Sequence, residues 1–179
     1  MPLTACQIPT PLGDMLALAS DAGLCLLEFI DGTARLEQEL AQVRAVRGLA
    51  ADGPSAALEQ LQAQLDGYFA GQRQRFDVPL DWIGTPFQMR VWRALLAIPY
   101  GATWSYAQEA RQIGQSAAVR AVAAANGHNK IAIVVPCHRV IGGNGALTGY
   151  GGGLARKRWL LDLERQQGTA AENPITTDA

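Results

Sequence analysis

The sequence is short of the residues that staple small secreted proteins together. Its three cysteines, Cys6, Cys25 and Cys137, are an odd number with no C-x-x-C pair. A disulfide framework is therefore not expected, and a reducing cytoplasm is the default compartment. Histidine is scarcer still. His128 and His138 both lie far along the chain from Cys6 and Cys25, so four soft ligands cannot easily be gathered in the N-terminal part and no metal is expected. Cys6 and Cys25 read as small core residues. Long apolar runs are missing too, which excludes a membrane-spanning helix, and no stretch has the layout of a signal peptide.

A net charge of −1 hides an uneven distribution. Residues 1–84 carry five basic side chains against eleven acidic ones, net −6, whereas residues 85–165 carry ten against three, net +7. A basic half fits a polyanion on one face, although it also fits an ordinary soluble surface.

Leu3 to Ile8, Met15 to Ser20 and Leu24 to Phe29 are short apolar segments at hairpin spacing, which predicts an antiparallel meander. Leu36, Leu40 and Val43, then Leu58, Leu61, Leu65 and Phe69, recur at helical spacing and predict two amphipathic helices packed on that sheet. Nothing in residues 1–80 gathers groups suited to chemistry, so this part reads as a scaffold domain. A boundary falls near Asp81 to Gly84, giving domains over 1–82 and 83–167.

Thr85-Pro86-Phe87-Gln88 combines a cap, a first-turn proline and a capping-box glutamine, and starts a helix that Pro99 ends. Ser105-Tyr106-Ala107-Gln108 starts a second, which runs to Ile113. Ser116 is expected to cap a third, running to Asn126. Two short helices across a glycine-containing turn make a helix-turn-helix candidate. The third helix is almost all small residues with Arg120 its single charge, which fits a helix lying in a narrow groove with one inserting side chain. A last helix covers Leu154 to Gln167, and residues 168–179 are expected to be a disordered tail.

The chain is organised around Ile131 to Val140. The β-branched run Ile131 to Val135 predicts a buried extended segment, and Pro136 stiffens the backbone where Cys137 sits. His138 and Arg139 follow at once, and cations near a thiol favour the nucleophilic thiolate. Downstream, the glycine density of Thr148 to Gly153 lets backbone amides approach a ligand. It does not lead from strand into helix in Walker form, so a phosphate-binding loop is rejected.

Pro136-Cys137-His138-Arg139-Val140, with Asn129 eight residues earlier and the Tyr150/Gly152 loop after it, resembles the O6-alkylguanine-DNA alkyltransferases of the bacterial constitutive type. The resemblance is close over residues 85–165 and looser over 1–80. It implies an α/β (α+β) N-terminal domain resembling ribonuclease H and a mainly α, winged-helix-like C-terminal domain. It also implies a monomer without cofactor, acting on double-stranded DNA and moving an alkyl group from O6-alkylguanine irreversibly to its own cysteine, with O4-alkylthymine a second candidate substrate.

By that resemblance Cys137 is the acceptor, His138 its base through a water, and Glu164 the group that orients His138. Asn129 braces the helix-turn-helix against the active-site loop, and Tyr106 donates toward N3 of the guanine. Arg120 fills the gap left by the flipped base, with Ser105, Ala121 and Arg139 also on the DNA. Val140, Tyr150, Gly151 and Gly152 line the alkylguanine pocket, and the carbonyls of Cys137 and Val140 read the exocyclic amine. Several relatives carry Ser where Gly151 stands. Two other assignments remain open on sequence alone: a damage sensor that binds alkylated DNA without repairing it, which the presence of Cys137 disfavours, and a cysteine hydrolase built on Cys137, His138 and Glu164.

Overall fold

The computed structural model describes residues 2–172. Strands β1 (Leu3–Ile8), β2 (Met15–Ser20) and β3 (Gly23–Phe29) form the expected antiparallel meander, and the two-residue β4 (Ala50–Ala51) joins β1 in parallel, giving the order β3-β2-β1-β4. Alternation along the strands assigns the two faces. Met15, Ala17 and Ala19 of β2 pack with Leu58, Leu61 and Leu65 of helix α2 (Ala56–Phe69). Leu18 of β2 and Leu3 of β1 point the other way, onto Leu36 and Val43 of helix α1 (Thr33–Arg47). One helix therefore covers each face, as period-two strands and period-3.6 helices require.

β3 is buried along its whole length although it is the outermost strand. Two passing segments satisfy its free edge. Leu24 N donates to Pro79 O (2.8 Å) and Asp81 N to Leu24 O (2.9 Å); Leu27 N donates to Lys130 O (2.8 Å) and Ala132 N to Leu27 O (2.9 Å). Covering an edge in this way removes a template for unwanted strand pairing. It also requires Gly23, whose φ is +143° and where a Cβ would come within 2.4 Å of Pro79 O.

The C-terminal half is mainly helical. Helix α3 (Pro86–Leu95) starts on the expected Thr85/Gln88 capping box. Strand β5 (Trp104–Ser105) leads into helix α4 (Tyr106–Gln112), which has the Ser105/Gln108 capping box. Helix α5 (Val119–Gly127) crosses α4, β6 (Val140–Ile141) pairs in parallel with β5, and helix α6 (Leu154–Glu172) closes the domain. Residues from both halves contribute to the larger apolar cluster, which runs from Ile8 to Leu160.

Three sequence expectations change. Ser116 does not cap α5; the residue before the helix is Ala118, with no side-chain cap, because a turn closed by Ala118 N on Gln115 O takes up residues 115–118. The last helix continues to Glu172 rather than stopping at Gln167, and the rest of the expected tail, 173–179, lies outside the described residues. Ile131 to Val135 is buried as expected but is not extended. Only Ile131 bridges to β3; the chain then turns, with Ile133 at φ 70°, a conformation a β-branched residue rarely adopts.

Candidate active site

The turn through Ile133 leads straight into a single 3-10 turn, Cys137–Arg139, which places the thiol. Asn129 holds both ends of this strap. Its Nδ2 donates to Val135 O (2.9 Å) and to Cys137 Sγ (3.2 Å), while Ile131 N donates to its Oδ1 (3.0 Å). The segment before the cysteine is thus fixed by one buried carboxamide and by the edge of β3. Among the described residues Asn129 is the hydrogen-bond partner of Sγ, and packing pushes the Cys137 thiol up to about 11 against the lowering effect of that bond. Expectation and structure differ here: at rest Cys137 is a thiol, because burial outweighs the nearby cations.

The group that can take its proton is His138. The imidazole is fully buried, and its Nε2 lies 2.8 Å from Glu164 Oε1. Burial would raise the Glu164 carboxyl, but His138 and Arg139 hold it down at about 2. An ionised carboxylate only accepts hydrogen bonds, so Nε2 carries the proton in this pair. Burial lowers the His138 pKa, so the ring is neutral and its other nitrogen, Nδ1, is a free lone pair. Nδ1 has no partner among the described residues. A half-buried thiol, a neutral imidazole on the next residue with one open nitrogen, and a carboxylate on the ring's other nitrogen are the groups that an acceptor–base–orienter set requires.

Glu164 carries more than the imidazole. Arg139 donates to it twice, Nε to Oε2 at 2.8 Å and Nη2 to Oε1 at 2.9 Å, and Nη1 donates to Ile98 O. Tyr68 OH donates to Oε1 at 2.8 Å. The expectation that Arg139 contacts DNA is therefore overturned: it is 7% exposed and all three of its nitrogens are engaged inward. A guanidinium is the group that can neutralise a buried carboxylate bidentately while a third group uses the same oxygen.

A cavity of about 550 Å³ opens onto the thiol, lined by Arg35, Tyr106, Asn126, Gly127, Cys137 and the loop from Thr148 to Gly151. Tyr106, Tyr150 and Gly151 are among its lining residues. Val140 and Gly152 do not line it. Val140 is fully buried behind the turn, and Gly152 sits between the rings of Tyr150 and Phe29. The Val140 carbonyl is also occupied, accepting from Lys157 Nζ at 2.5 Å, and the Cys137 carbonyl accepts from Val140 N. Tyr106 OH donates to Thr148 O at 2.9 Å, so the loop closes over the phenol. Arg120 and Ala121 are exposed on α5, and Ser105 accepts from Gln108 N at the start of α4.

Three contributors escaped the sequence. Lys157 of α6 is fully buried and donates to Val140, Thr148 and Gly149 carbonyls, tying the pocket loop to the last helix. Tyr68 and Arg35 come from the half read as scaffold. Arg35 donates to the carbonyls of Gly127 and Asn129 and pairs with Glu28 and Glu39, so it ties α1 and β3 to the hinge below Cys137. In the sequence Arg35 and Glu39 are only an i,i+4 pair on a helix, indistinguishable from a solvated face. A Cβ at Gly151 would come within 2.4 Å of the Arg35 guanidinium. Gly151→Ser is therefore expected to displace the Arg35 guanidinium, the free end of a flexible side chain, lowering stability by no more than about 1 kcal/mol in a denaturant titration.

These features define a class: a two-domain protein with a half-buried cysteine that opens on a cavity, followed in the chain by a histidine paired with a buried carboxylate. The family follows from comparison with known proteins. Residues 86–166 match the model of the 6-O-methylguanine DNA methyltransferase DNA-binding domain, and residues 7–82 match the ribonuclease-like domain of the same family. A methylated-DNA–protein-cysteine methyltransferase of Mycobacterium leprae is 46% identical over 161 residues, 90% of this chain and 92% of that protein. One from Mycobacterium tuberculosis is 64% identical over 107 residues, and the match spans 60% of this chain and 65% of the relative. The crystal structure of a Mycobacterium tuberculosis O6-methylguanine methyltransferase superposes with TM-score 0.79 at 44% identity, covering 97% of this chain and 96% of that one. A structure of a Mycobacterium tuberculosis homologue in complex with DNA gives 0.77 at 46% identity, covering 93% and 94%. The chain belongs to the 6-O-methylguanine DNA methyltransferase family.

Proposed function

We propose that this protein repairs DNA by moving an alkyl group from O6 of guanine onto Cys137, once per molecule. The observation that carries this reading is the geometry of the site: a thiol opening on the cavity, an imidazole nitrogen with no partner among the described residues, and a carboxylate bound by both His138 and Arg139. Removing the thiol proton toward His138 Nδ1 gives a soft sulfur nucleophile suited to displacement at an alkyl carbon. The sulfur–carbon bond forms as the carbon–O6 bond breaks, and the electron pair stays on the guanine. The Tyr106 hydroxyl, released from Thr148 O, supports the charge growing on the base by donating to N3. The thioether offers no good leaving group, and among the described residues that line the cavity there is no second cysteine to displace it.

The target base must leave the duplex to reach a half-buried thiol at the floor of a cavity, at a cost of a few kcal/mol. Residues 83–167 form the DNA-binding and active-site domain, winged-helix-like in arrangement, with α5 as the groove-facing helix. Residues 1–82 form a domain resembling ribonuclease H. The cytoplasm is the compartment, the chain acts as a monomer, and O4-alkylthymine is a second candidate substrate. The electrostatic contact is smaller than the net +7 implies, because Lys130, Arg139 and Lys157 are buried and Arg156 is paired with Asp31. Arg90, Arg93, Arg111, Arg120 and Arg158 are exposed and available to phosphates. Binding is accordingly modest and steeply salt-dependent.

Incubation with a duplex containing O6-methylguanine should add one CH₂ increment to the Cys137 peptide and reach a stoichiometric plateau. An unmodified peptide with DNA bound would instead mark a sensor, and steady turnover of an activated ester unaffected by DNA would mark a hydrolase. Arg120→Ala is expected to slow transfer from duplex about 10–100-fold, the loss of a few kcal/mol of support for the flipped state, while transfer from the free base is unchanged. An equal loss on both substrates would remove Arg120 from base extrusion.

A further inference from the structure

α4 presents two residues to the interior, Ala110 and Glu109, and Glu109 is fully buried. An acid at an apolar position of a seven-residue helix needs a partner. Its partner is a neutral amide: Asn126 Nδ2 donates to Glu109 Oε2 at 2.6 Å across the α4–α5 interface. The other two oxygens of this pair, Glu109 Oε1 and Asn126 Oδ1, are both buried and both lack a hydrogen-bond partner among the described residues. An ionised carboxylate leaves both orphaned, and two buried acceptors cannot serve each other. One proton on Glu109 satisfies both at once.

We propose that Glu109 is a neutral carboxylic acid whose Oε1–H donates to Asn126 Oδ1 while Asn126 Nδ2 donates to Oε2, and that this closed ring makes Glu109 a positioning residue for the thiol pocket. Asn126 lines the cavity beside Cys137 and occupies the last turn of α5. Its carbonyl accepts from the amide of Asn129, the residue that holds Sγ. The ring therefore locks α4 to the end of α5 from which the hinge of the active-site strap departs. The position rests on the alkyl-transfer reading; the proton does not.

The surroundings agree with a neutral acid. Burial pushes the Glu109 carboxyl up to about 7 even with Asn126 donating to it. Donation from the acid to Asn126 Oδ1 stabilises the protonated form and raises it further. The titratable group that senses its charge is Tyr106 on α4 itself. The charged side chains on the elements packed around it, Arg90 and Arg93 of α3, Arg111 of α4 and Arg120 of α5, are exposed and turned to solvent. β5 and β6 bring no charged residue.

Infrared difference spectra of the full chain, taken as pH is raised from acid to alkaline, test the proton directly. Wild type should show a carboxylic-acid carbonyl band at neutral pH that is missing from Glu109→Gln. Transfer from O6-methylguanine duplex tests the positioning. Glutamine can close the same ring with its own amide and cannot titrate, so the ratio of Glu109→Gln to wild-type rates should start near one in acid. Past the Glu109 midpoint it should climb about tenfold per pH unit, the slope of a single ionisation, while the Cys137 titration common to both proteins cancels. An absent acid band at neutral pH, or a ratio flat to alkaline pH, overturns the proposal. A wild-type chain that shows the band but transfers nothing at any pH would strike down the alkyl-transfer reading and uphold the acid–amide ring.

Discussion

Glu164→Gln should lower the free energy of unfolding by about 3–5 kcal/mol, the cost of leaving a buried guanidinium without its counter-charge. The reason is concentration of function on one side chain. Glu164 takes two bonds from Arg139, one from His138 and one from Tyr68, and it is fully buried. Glutamine keeps the shape but offers one acceptor oxygen and an NH₂ that faces the Arg139 donors. The same change frees the imidazole from its fixed tautomer, and thiol alkylation should slow by about 10²–10⁴-fold, the range for a lost acid–base group. The pH dependence has a definite sign. The folded-state value of about 2 lies below the ordinary 4.5, so the stabilisation is present above 4.5 and is lost as pH falls toward 2. Denaturant titrations at several acidic pH values should show that loss in wild type and not in the variant.

Cys137→Ala should abolish transfer outright while leaving DNA affinity within about twofold, because the exposed arginines Arg90, Arg93, Arg111, Arg120 and Arg158 are not among the residues that line the thiol cavity. It should also fold normally. Asn129 Nδ2 keeps its bond to Val135 O when Sγ is removed, so no buried donor is orphaned and the stability change should stay within about 1 kcal/mol. Mass spectrometry of the alkylated mixture and a binding isotherm on the same preparation check the two halves. Parallel loss of transfer and binding would make the thiol a packing residue and sink the nucleophile assignment.

How much of this was legible without coordinates depended on the range of the interaction. The two capping boxes, the meander and the apolar stripes of α1 and α2 are encoded within four residues of themselves, and they stand where spacing put them. The Pro136-to-Val140 block was specific enough to point to the family. What local reading got wrong is equally regular. Ile131 to Val135 has strand composition, but Asn129 and the β3 edge capture it after one bridge and the rest must turn to bring Cys137 to the cavity. The family resemblance put Arg139 on the DNA, and nothing local to the sequence opposed it. The partner of Arg139, Glu164, is 25 residues away and visible only in three dimensions.

By itself, then, the sequence determined the family resemblance, the helix starts and the division into an acidic and a basic half, since each of these is a property of residues and their near neighbours. Only the tertiary structure decided the charge state of the site and the involvement of the N-terminal half. Arg35 and Tyr68 reach the hinge and the carboxylate over separations of more than ninety residues. Whether Cys137 is thiol or thiolate, and which nitrogen of His138 is open, depends on desolvation and on the one buried carboxylate. Those are set by packing of distant segments, and no spacing along the chain records them.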